Sequence, residues 1–232
     1  MRIAVIGDIH GRRRWEVFWK LIKEYDLVVF LGDYMDSHII SINDQILNLR
    51  RIIQFKKTYP DKVVLLLGNH DVGYLDPVIN RCPGNDMHNL VQIADIFVQD
   101  EDLFTYAKEA DGFLFTHAGI SSTWLDRYNG EYRDLPIEDQ VNLIIENKPT
   151  ALSFYSNQGR TFSNTGDDIS QSPVWIRPQS LARVMGHPKQ VVGHTFQNYP
   201  VLKTDLAQQL ILADAPQFFT TLNNGQFGFE RF

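Results

Sequence analysis

An apolar run of strand type that stops at a glycine and is followed by a potential metal ligand recurs along this sequence, and that recurrence limits the fold more than any other feature. Arg2-Ile3-Ala4-Val5-Ile6 breaks at Gly7-Asp8-Ile9-His10-Gly11. Leu27-Val28-Val29-Phe30-Leu31 ends in Gly32-Asp33-Tyr34-Met35-Asp36, and Lys62 to Leu67 ends in Gly68-Asn69-His70-Asp71. The runs are apolar throughout instead of alternating, as strands covered on both faces of a parallel sheet are. Asp8 and His10, two residues apart at one strand end, leave the chain on the same side and can reach one cation.

The segments between these runs read as helices. Trp15 to Tyr25 places Trp15, Phe18, Trp19 and Ile22 at helical spacing, which assigns them to a core face. A longer helix is expected over 41–59, with Ile42, Ile46, Leu49, Ile52, Ile53 and Phe55 on its apolar side and Pro60 as its stop. Strand, helix, strand, helix, strand predicts right-handed crossovers and a largely parallel core. Ligand sites in such sheets form beyond the carboxyl ends of the strands, so Asp8, His10, Asp33, Asp36, Asn69 and His70 should converge there.

The rest of the chain adds two more turns of this kind. After an irregular stretch over 72–102, with a short helix near 89–96 and with Asp86 and His88 read as surface residues, two strands are expected to pair about Ala110-Asp111-Gly112. They are Leu103 to Tyr106 and Gly112 to Phe115, and the second ends in Thr116-His117-Ala118-Gly119. Helices follow over 122–128 and 137–146, and then a polar, turn-rich stretch over 147–172, read as a substrate-facing cap because long connections in compact domains usually serve function. Val174-Trp175-Ile176-Arg177 leads into a helix from Pro178 to Met185, and Gln190-Val191-Val192 ends in Gly193-His194-Thr195. His187 has no strand before it and is set aside. Short strands near 201–204, 209–213, 218–222 and 227–229 suggest a second sheet stacked on the first.

Composition excludes several classes. A chain of 232 residues, 44% of them hydrophobic, supports one large core, and with no repeat or low-complexity tract it reads as a single domain over 1–232. Net charge is −6, and the basic residues are dispersed apart from Arg12-Arg13-Arg14, which argues against long nucleic acid as a partner. No apolar run is long enough for a bilayer, no signal-peptide pattern is present, and the lone Cys82 suits a reducing compartment; a cytoplasmic location is expected.

Asp8, His10, Asp33, Asn69, His117 and His194 form a mixed carboxylate, imidazole and amide set that suits Mn, with Fe, Zn or Mg as alternatives. Six ligands exceed one tetrahedral ion and fit two divalent ions sharing a bridging carboxylate. Such a pair clamps an oxyanion and acidifies a water for in-line attack at phosphorus, so no protein nucleophile is needed. His70, positioned by the Asp36 carboxylate, is the natural proton donor to the leaving group, and Arg177 offers a bidentate fork for a phosphate oxygen.

The blocks Gly7-Asp8-Ile9-His10-Gly11, Gly32-Asp33-Tyr34-Met35-Asp36, Gly68-Asn69-His70-Asp71, Thr116-His117-Ala118-Gly119 and Gly193-His194-Thr195 resemble the five signature blocks of the calcineurin-like metallophosphoesterases. In order and spacing they are most similar to the phosphoprotein phosphatase branch, with its bacterial and phage members and the symmetrical dinucleoside tetraphosphatases. The resemblance implies a four-layer α/β/β/α sandwich with two stacked mixed β-sheets. It also implies that Asp8 and His10 bind the first metal, Asp33 bridges, Asn69, His117 and His194 bind the second, and His70 with Asp36 forms the acid pair. Trp175-Ile176-Arg177 is similar to a substrate-binding arginine element of the bacterial and phage members.

Two positions depart from the family pattern. Asp36-Ser37-His38 stands where Asp-Arg-Gly is usual, so one phosphate-binding arginine is missing, with Arg177, His38 or one of Arg12 to Arg14 as substitutes; Asp71 stands where many members have Glu. The expected function is a dinuclear metal-dependent phosphoesterase acting on phosphomonoesters in the manner of a Ser/Thr protein phosphatase. A dinucleoside polyphosphate hydrolase or other small phosphodiesterase is the alternative, and phosphorylated small molecules, nucleotides and phosphoproteins are the candidate substrates. A non-catalytic binding scaffold is a third reading, at odds with the complete ligand set.

Overall fold

The computed structural model describes residues 1–78, 80–154, 167–205 and 207–232. In chain order the first strands are β1 (Arg2–Ile6), β2 (Leu27–Phe30) and β3 (Val63–Leu66), separated by helix α1 (Phe18–Leu21) and helix α2 (Ile42–Thr58). Helices α3 (Asn69–Leu75) and α4 (Leu90–Gln99) follow, then β4 (Phe104–Thr105), β5 (Ala107–Ala110) and β6 (Phe113–Thr116). Next come α5 (Ser122–Tyr128), α6 (Ile137–Asn147), α7 (Pro178–Leu181) and β7 (Lys189–Val192). Two hairpins close the chain, β8 (Val201–Asp205) with β9 (Gln208–Leu212), and β10 (Phe218–Asn223) with β11 (Gln226–Arg231).

The strands form two mixed sheets, ordered β11-β10-β1-β2-β3-β4 and β5-β6-β7-β9-β8. Alternation along the central strands explains how they stack. Ile3, Val5, Leu27, Val29 and Leu66 point one way and pack with Phe113, Phe115, Val191 and Ile211 of the other sheet. Ala4, Ile6, Val28, Phe30, Val63 and Leu65 point the other way and pack under Trp15, Phe18 and the α2 residues Ile46, Leu49, Ile52 and Phe55. The outer face of the second sheet is covered in turn, Leu114 by Trp124, Val141, Ile144 and Ile145, and Val192, Leu210 and Leu212 by Leu181. The fold is thus the four-layer α/β/β/α sandwich, and period 2 in the strands assigns each side chain to a layer. No helix of the described residues is long and apolar enough to cross a membrane.

Several expectations require correction. The segment 15–25 is not one helix but a 3-10 turn at Arg14–Val17, α1, and a second 3-10 turn at Ile22–Glu24, and Trp19 is 38% exposed, outside the core. Residues 103–106 do not pair with 112–115: Phe104–Thr105 adds in parallel to β3 in the first sheet, while Ala107–Ala110 pairs with β6 in the second. The switch between sheets is held by Asn142 of α6, whose Oδ1 accepts from Thr105 Oγ1, Tyr106 N and Ala107 N at 2.9–3.0 Å. The final strands do not form a sheet of their own. The β10–β11 hairpin extends the first sheet antiparallel to β1, and β9 joins the second sheet parallel to β7. The helix from Pro178 ends at Leu181, not Met185.

Candidate metal centre

Strands β1, β2 and β3 of one sheet run parallel to one another, as do β6 and β7 of the other, and their carboxyl ends share one edge of the sandwich. Asp8, Asp33, Asn69, His117 and His194 sit just beyond those ends, and the backbone there is unusual. Of the six non-glycine residues at positive φ among the described residues, four are His10 (+41°), Asp33 (+53°), Asp36 (+67°) and His194 (+61°). Such conformations cost about 1–3 kcal/mol each and persist where surrounding structure enforces them. Packing between the turns enforces them here. A Cβ at Gly68 would lie 2.2 Å from Asp33 Oδ1 and 2.8 Å from His117 Cε1, so only glycine lets the β3 turn approach the other two.

The ring nitrogens carry the chemical argument. His117 Nδ1 donates to Leu31 O at 2.8 Å, which leaves Nε2 as the lone-pair nitrogen. That nitrogen faces Asn69 Oδ1 at 2.9 Å and Asp33 Oδ2 at 3.5 Å, so three electron-pair donors point at one another. His10 repeats the pattern: Nδ1 donates to Met35 O at 2.6 Å, and Nε2 faces Asp33 Oδ2 at 3.8 Å and Asp8 Oδ2 at 4.0 Å. Metal-binding histidines usually donate their other ring N–H to a group such as a backbone carbonyl, which fixes the tautomer and the ring orientation. His194 Nε2 lies 3.2 Å from Trp175 O, which leaves its Nδ1 for the site, and its backbone N–H donates to Asp8 Oδ1 at 2.9 Å. Two convergent groups result, His10–Asp33–His70 and Asp33–His117–His194, with Asp33 common to both.

The electrostatics fit cations. Burial and the nearby Asp33 charge push Asp8 well above the ordinary carboxylate range. Burial alone raises Asp33 too, but the imidazoles of His117 and His70 outweigh it and hold Asp33 ionised. Burial lowers both His10 and His194, keeping them in the neutral form that a metal requires. Buried carboxylates, neutral imidazoles and opposed lone pairs are what a pair of divalent cations would satisfy.

Beside this centre His70 Nδ1 donates to Asp36 Oδ2 at 2.7 Å. Asp36 is itself anchored by the Tyr74 hydroxyl on Oδ1 and by Asn85 Nδ2 on Oδ2 at 2.8 Å, and Asn85 Nδ2 also reaches His70 O at 3.0 Å. A cavity of about 450 Å³ opens over the cluster, walled by Asp8, His10, Asp33, Asn69, His70 and His194 and further by Arg12, Trp175, Arg177, Phe196 and Asp214.

Residues 1–197 match the family described as calcineurin-like phosphoesterase. The chain belongs to the calcineurin-like phosphoesterases. Dinuclear metal-dependent hydrolysis of phosphoesters is general to this family. Among curated relatives, the Saccharomyces cerevisiae serine/threonine-protein phosphatase PP2A-like PPG1 is 24% identical over 185 residues, covering 69% of this chain and 46% of that protein. The serine/threonine-protein phosphatase 4 catalytic subunit of Kluyveromyces lactis is 29% identical over 90 residues, covering 34% and 28%. The matches therefore span less than half the length of these relatives. Among solved structures, a Saccharomyces cerevisiae protein serine/threonine phosphatase with similarity to human phosphatase PP5 superposes with a TM-score of 0.54 at 14% identity, covering 100% of this chain and 79% of that one. A Sphaerobacter thermophilus metallophosphoesterase gives 0.52 at 13% identity, covering 100% and 88%. These two likenesses concern the fold.

Within this calcineurin-like phosphoesterase site, the structure places the other predicted residues unevenly. Arg177 is on the cavity wall, with Nη1 donating to His194 O at 2.9 Å and Thr195 Oγ1 at 3.2 Å. Arg12 also lines the cavity, whereas Arg13 pairs with Glu16, Arg14 donates to Pro216 O, and His38 is exposed and outside the lining. His187 hydrogen-bonds locally, its Nδ1 donating to Lys189 O at 2.8 Å, away from the cavity. Of the expected cap at 147–172, residues 155–166 lie outside the described residues. Its described flanks are held near the site: Phe154 packs on Trp175 with ring centroids 4.8 Å apart, and Asp167 Oδ1 accepts from Ser180 Oγ at 2.6 Å.

Three residues at the site, Tyr74, Asn85 and Asp214, were not singled out from sequence, and a fourth, Asp71, was noted only for standing where many family members have Glu. Asp71, wholly buried, accepts Gly68 N, Asp33 N and Tyr34 N and ties the β2 turn to the β3 turn. Tyr74 and Asn85 hold Asp36, and Asp214 adds a carboxylate to the cavity wall. Asp71 alone had a visible signal, as the acidic residue closing the third block. Cys82, set aside as a bystander, is buried on the wall, with Sγ accepting from Asn69 Nδ2 at 3.2 Å.

Proposed function

We propose that this chain hydrolyses phosphomonoesters in the manner of the Ser/Thr protein phosphatases it is similar to, with Asp8, His10, Asp33, Asn69, His117 and His194 holding two divalent cations, Mn in the first instance. The observation that supports the reading is the single Asp33 carboxylate common to two convergent groups, one with His10 and His70 and one with His117 and His194, with His70 tied to Asp36. Cations bound there supply Lewis-acid charge on the phosphoryl oxygens and acidify the attacking water. The chain's own contribution is orientation and proton transfer. His70, its Nδ1 committed to Asp36, presents Nε2 to the cavity, where it can protonate the leaving oxygen. Burial opposes a charged His70, but Asp33 and the Asp36 hydrogen bond outweigh it and raise its pKa to about 12, so the donor proton is present at neutral pH. Arg177 on the wall can fork onto a non-bridging phosphate oxygen, with Arg12, whose Nη1 donates to Asp8 O, as a second cation lining the cavity.

The wider reading is a single domain whose 147–172 stretch caps the cavity, acting in the cytoplasm on a phosphorylated protein, nucleotide or small molecule. Ser37 in place of the family arginine favours a second substrate class, because one clamp on a phosphomonoester dianion is missing; small phosphodiesters and dinucleoside polyphosphates carry less charge per phosphorus. Mn-dependent turnover of p-nitrophenyl phosphate, its bis-ester and a dinucleoside tetraphosphate separates the two. Preference for the monoester supports the proposal, and a higher kcat/KM for either diester overturns it in favour of the second class.

A further inference from the structure

Strand β9 is apolar over Leu210, Ile211 and Leu212, runs parallel to β7 and ends in Ala213-Asp214-Ala215. With it, three parallel strands from each sheet, β1, β2 and β3 from one and β6, β7 and β9 from the other, end at the same edge, and each is followed by a polar side chain at the site. Asp214 is only 6% exposed and lines the cavity with Asp8, His10 and Arg12. Its Oδ1 is buried without a hydrogen-bond partner among the described residues. The turn that carries it rests directly on the turn that carries Asp8, since a Cβ at Gly7 would lie 2.6 Å from both Asp214 Cα and Ala213 O.

We propose that Asp214 is a positioning residue for the cation on the Asp8 and His10 side, supplying negative charge and a hydrogen-bond acceptor from just outside direct coordination. This rests on the dinuclear reading above. A buried acceptor with no protein donor is destabilising and is retained where a bound group supplies the partner. The outer position follows from geometry: Asp8 Oδ2 lies 4.0 Å from His10 Nε2, while among the described residues no ring nitrogen of the centre comes that close to an Asp214 oxygen. Outer carboxylates of this kind typically change metal affinity by about 10–100-fold.

The test is Mn2+ titration by calorimetry of metal-free wild type and Asp214→Asn, with melting temperatures taken with and without Mn2+. The expected result is that Asp214→Asn melts no lower than wild type without metal, binds one of the two Mn2+ ions about 10–100-fold more weakly, and gains less on Mn2+ addition. Wild-type affinity for both ions overturns the inference while leaving the dinuclear reading intact, whatever the melting temperature. Wild type that binds no Mn2+ overturns both. Asp214→Ser, which keeps a small polar group, serves as the second variant, and failure of both variants to fold without metal assigns Asp214 a purely structural role and rejects the inference.

Discussion

Asp71→Asn tests the backbone frame of the site without changing its volume. In the wild-type protein one carboxylate oxygen accepts Asp33 N at 2.7 Å and Gly68 N at 2.9 Å, and the other accepts Tyr34 N at 2.9 Å. An asparagine can keep its oxygen on the first two donors, but its NH2 then faces the Tyr34 N–H. A bond to a charged acceptor contributes about 1.5–3 kcal/mol and a neutral one about 0.5–1.5 kcal/mol, so the two surviving bonds together lose about 2 kcal/mol. The orphaned, buried Tyr34 N–H adds about 1–3 kcal/mol. Removing a buried charge close to Asp33 returns part of this, and the expected net loss is about 2–4 kcal/mol from a total near 5–15 kcal/mol. Urea unfolding of the metal-free variant, read by tryptophan fluorescence, measures it as a lower midpoint at unchanged slope. Because Asp33 is the shared carboxylate, kcat should fall with the same substitution. A loss under about 0.5 kcal/mol, the range of an ordinary surface change, would refute the claim that Asp71 holds the two turns together.

Three further outcomes follow from the site. Replacing Asp36 with Asn removes one of the influences that raise His70 above its ordinary range, and cations bound at the centre would offset the charge of Asp33, so the protonated donor is lost at lower pH. The alkaline limb of the kcat profile should therefore move to lower pH in Asp36→Asn, and His70→Asn should lower kcat about 10²–10⁴-fold with a smaller loss on aryl than on alkyl phosphates; an unmoved limb would reject His70 as the acid. Chelation should abolish turnover and lower the melting temperature, with both restored by Mn2+, and Asp33→Asn should block that rescue. Gly68→Ala should lose cation binding along with stability, since its Cβ would sit 2.2 Å from Asp33 Oδ1 and 2.8 Å from His117 Cε1; Mn2+ titration with wild-type affinity would contradict the packing argument.

The core strands and the ligand turns were legible in sequence because both are local signals. Val28, Val29 and Phe30 are apolar in succession because the strand is covered on both faces, and Gly32-Asp33 marks where it leaves the sheet. The same logic failed at Leu103 to Tyr106, where apolar content was right and the partner was wrong. Nothing within that segment distinguishes pairing with β3 from pairing with β6; the choice is made by Asn142 of α6, some 35 residues on. The last two hairpins were recognised as antiparallel, yet which sheet each joins depends on which edge strand, β1 or β7, is left open.

By itself the sequence determined which side chains meet, since carboxylate, imidazole and amide side chains placed just past apolar parallel strands gather at one sheet edge. It also determined the acid pair as a candidate, through His70 beside Asn69 and Asp36 beside the Asp33 turn. Only the tertiary structure decided how those groups are held: Asp71 bridging two turns, Tyr74 and Asn85 fixing Asp36, and Asp214 facing the cavity with an unpartnered oxygen. These contacts join parts of the chain far apart in sequence, Asp36 with Asn85 and the Gly7 turn with Asp214. Local hydrophobic periodicity carries information about a segment's own layer, whereas hydrogen-bond satisfaction in a buried site depends on every segment that packs there.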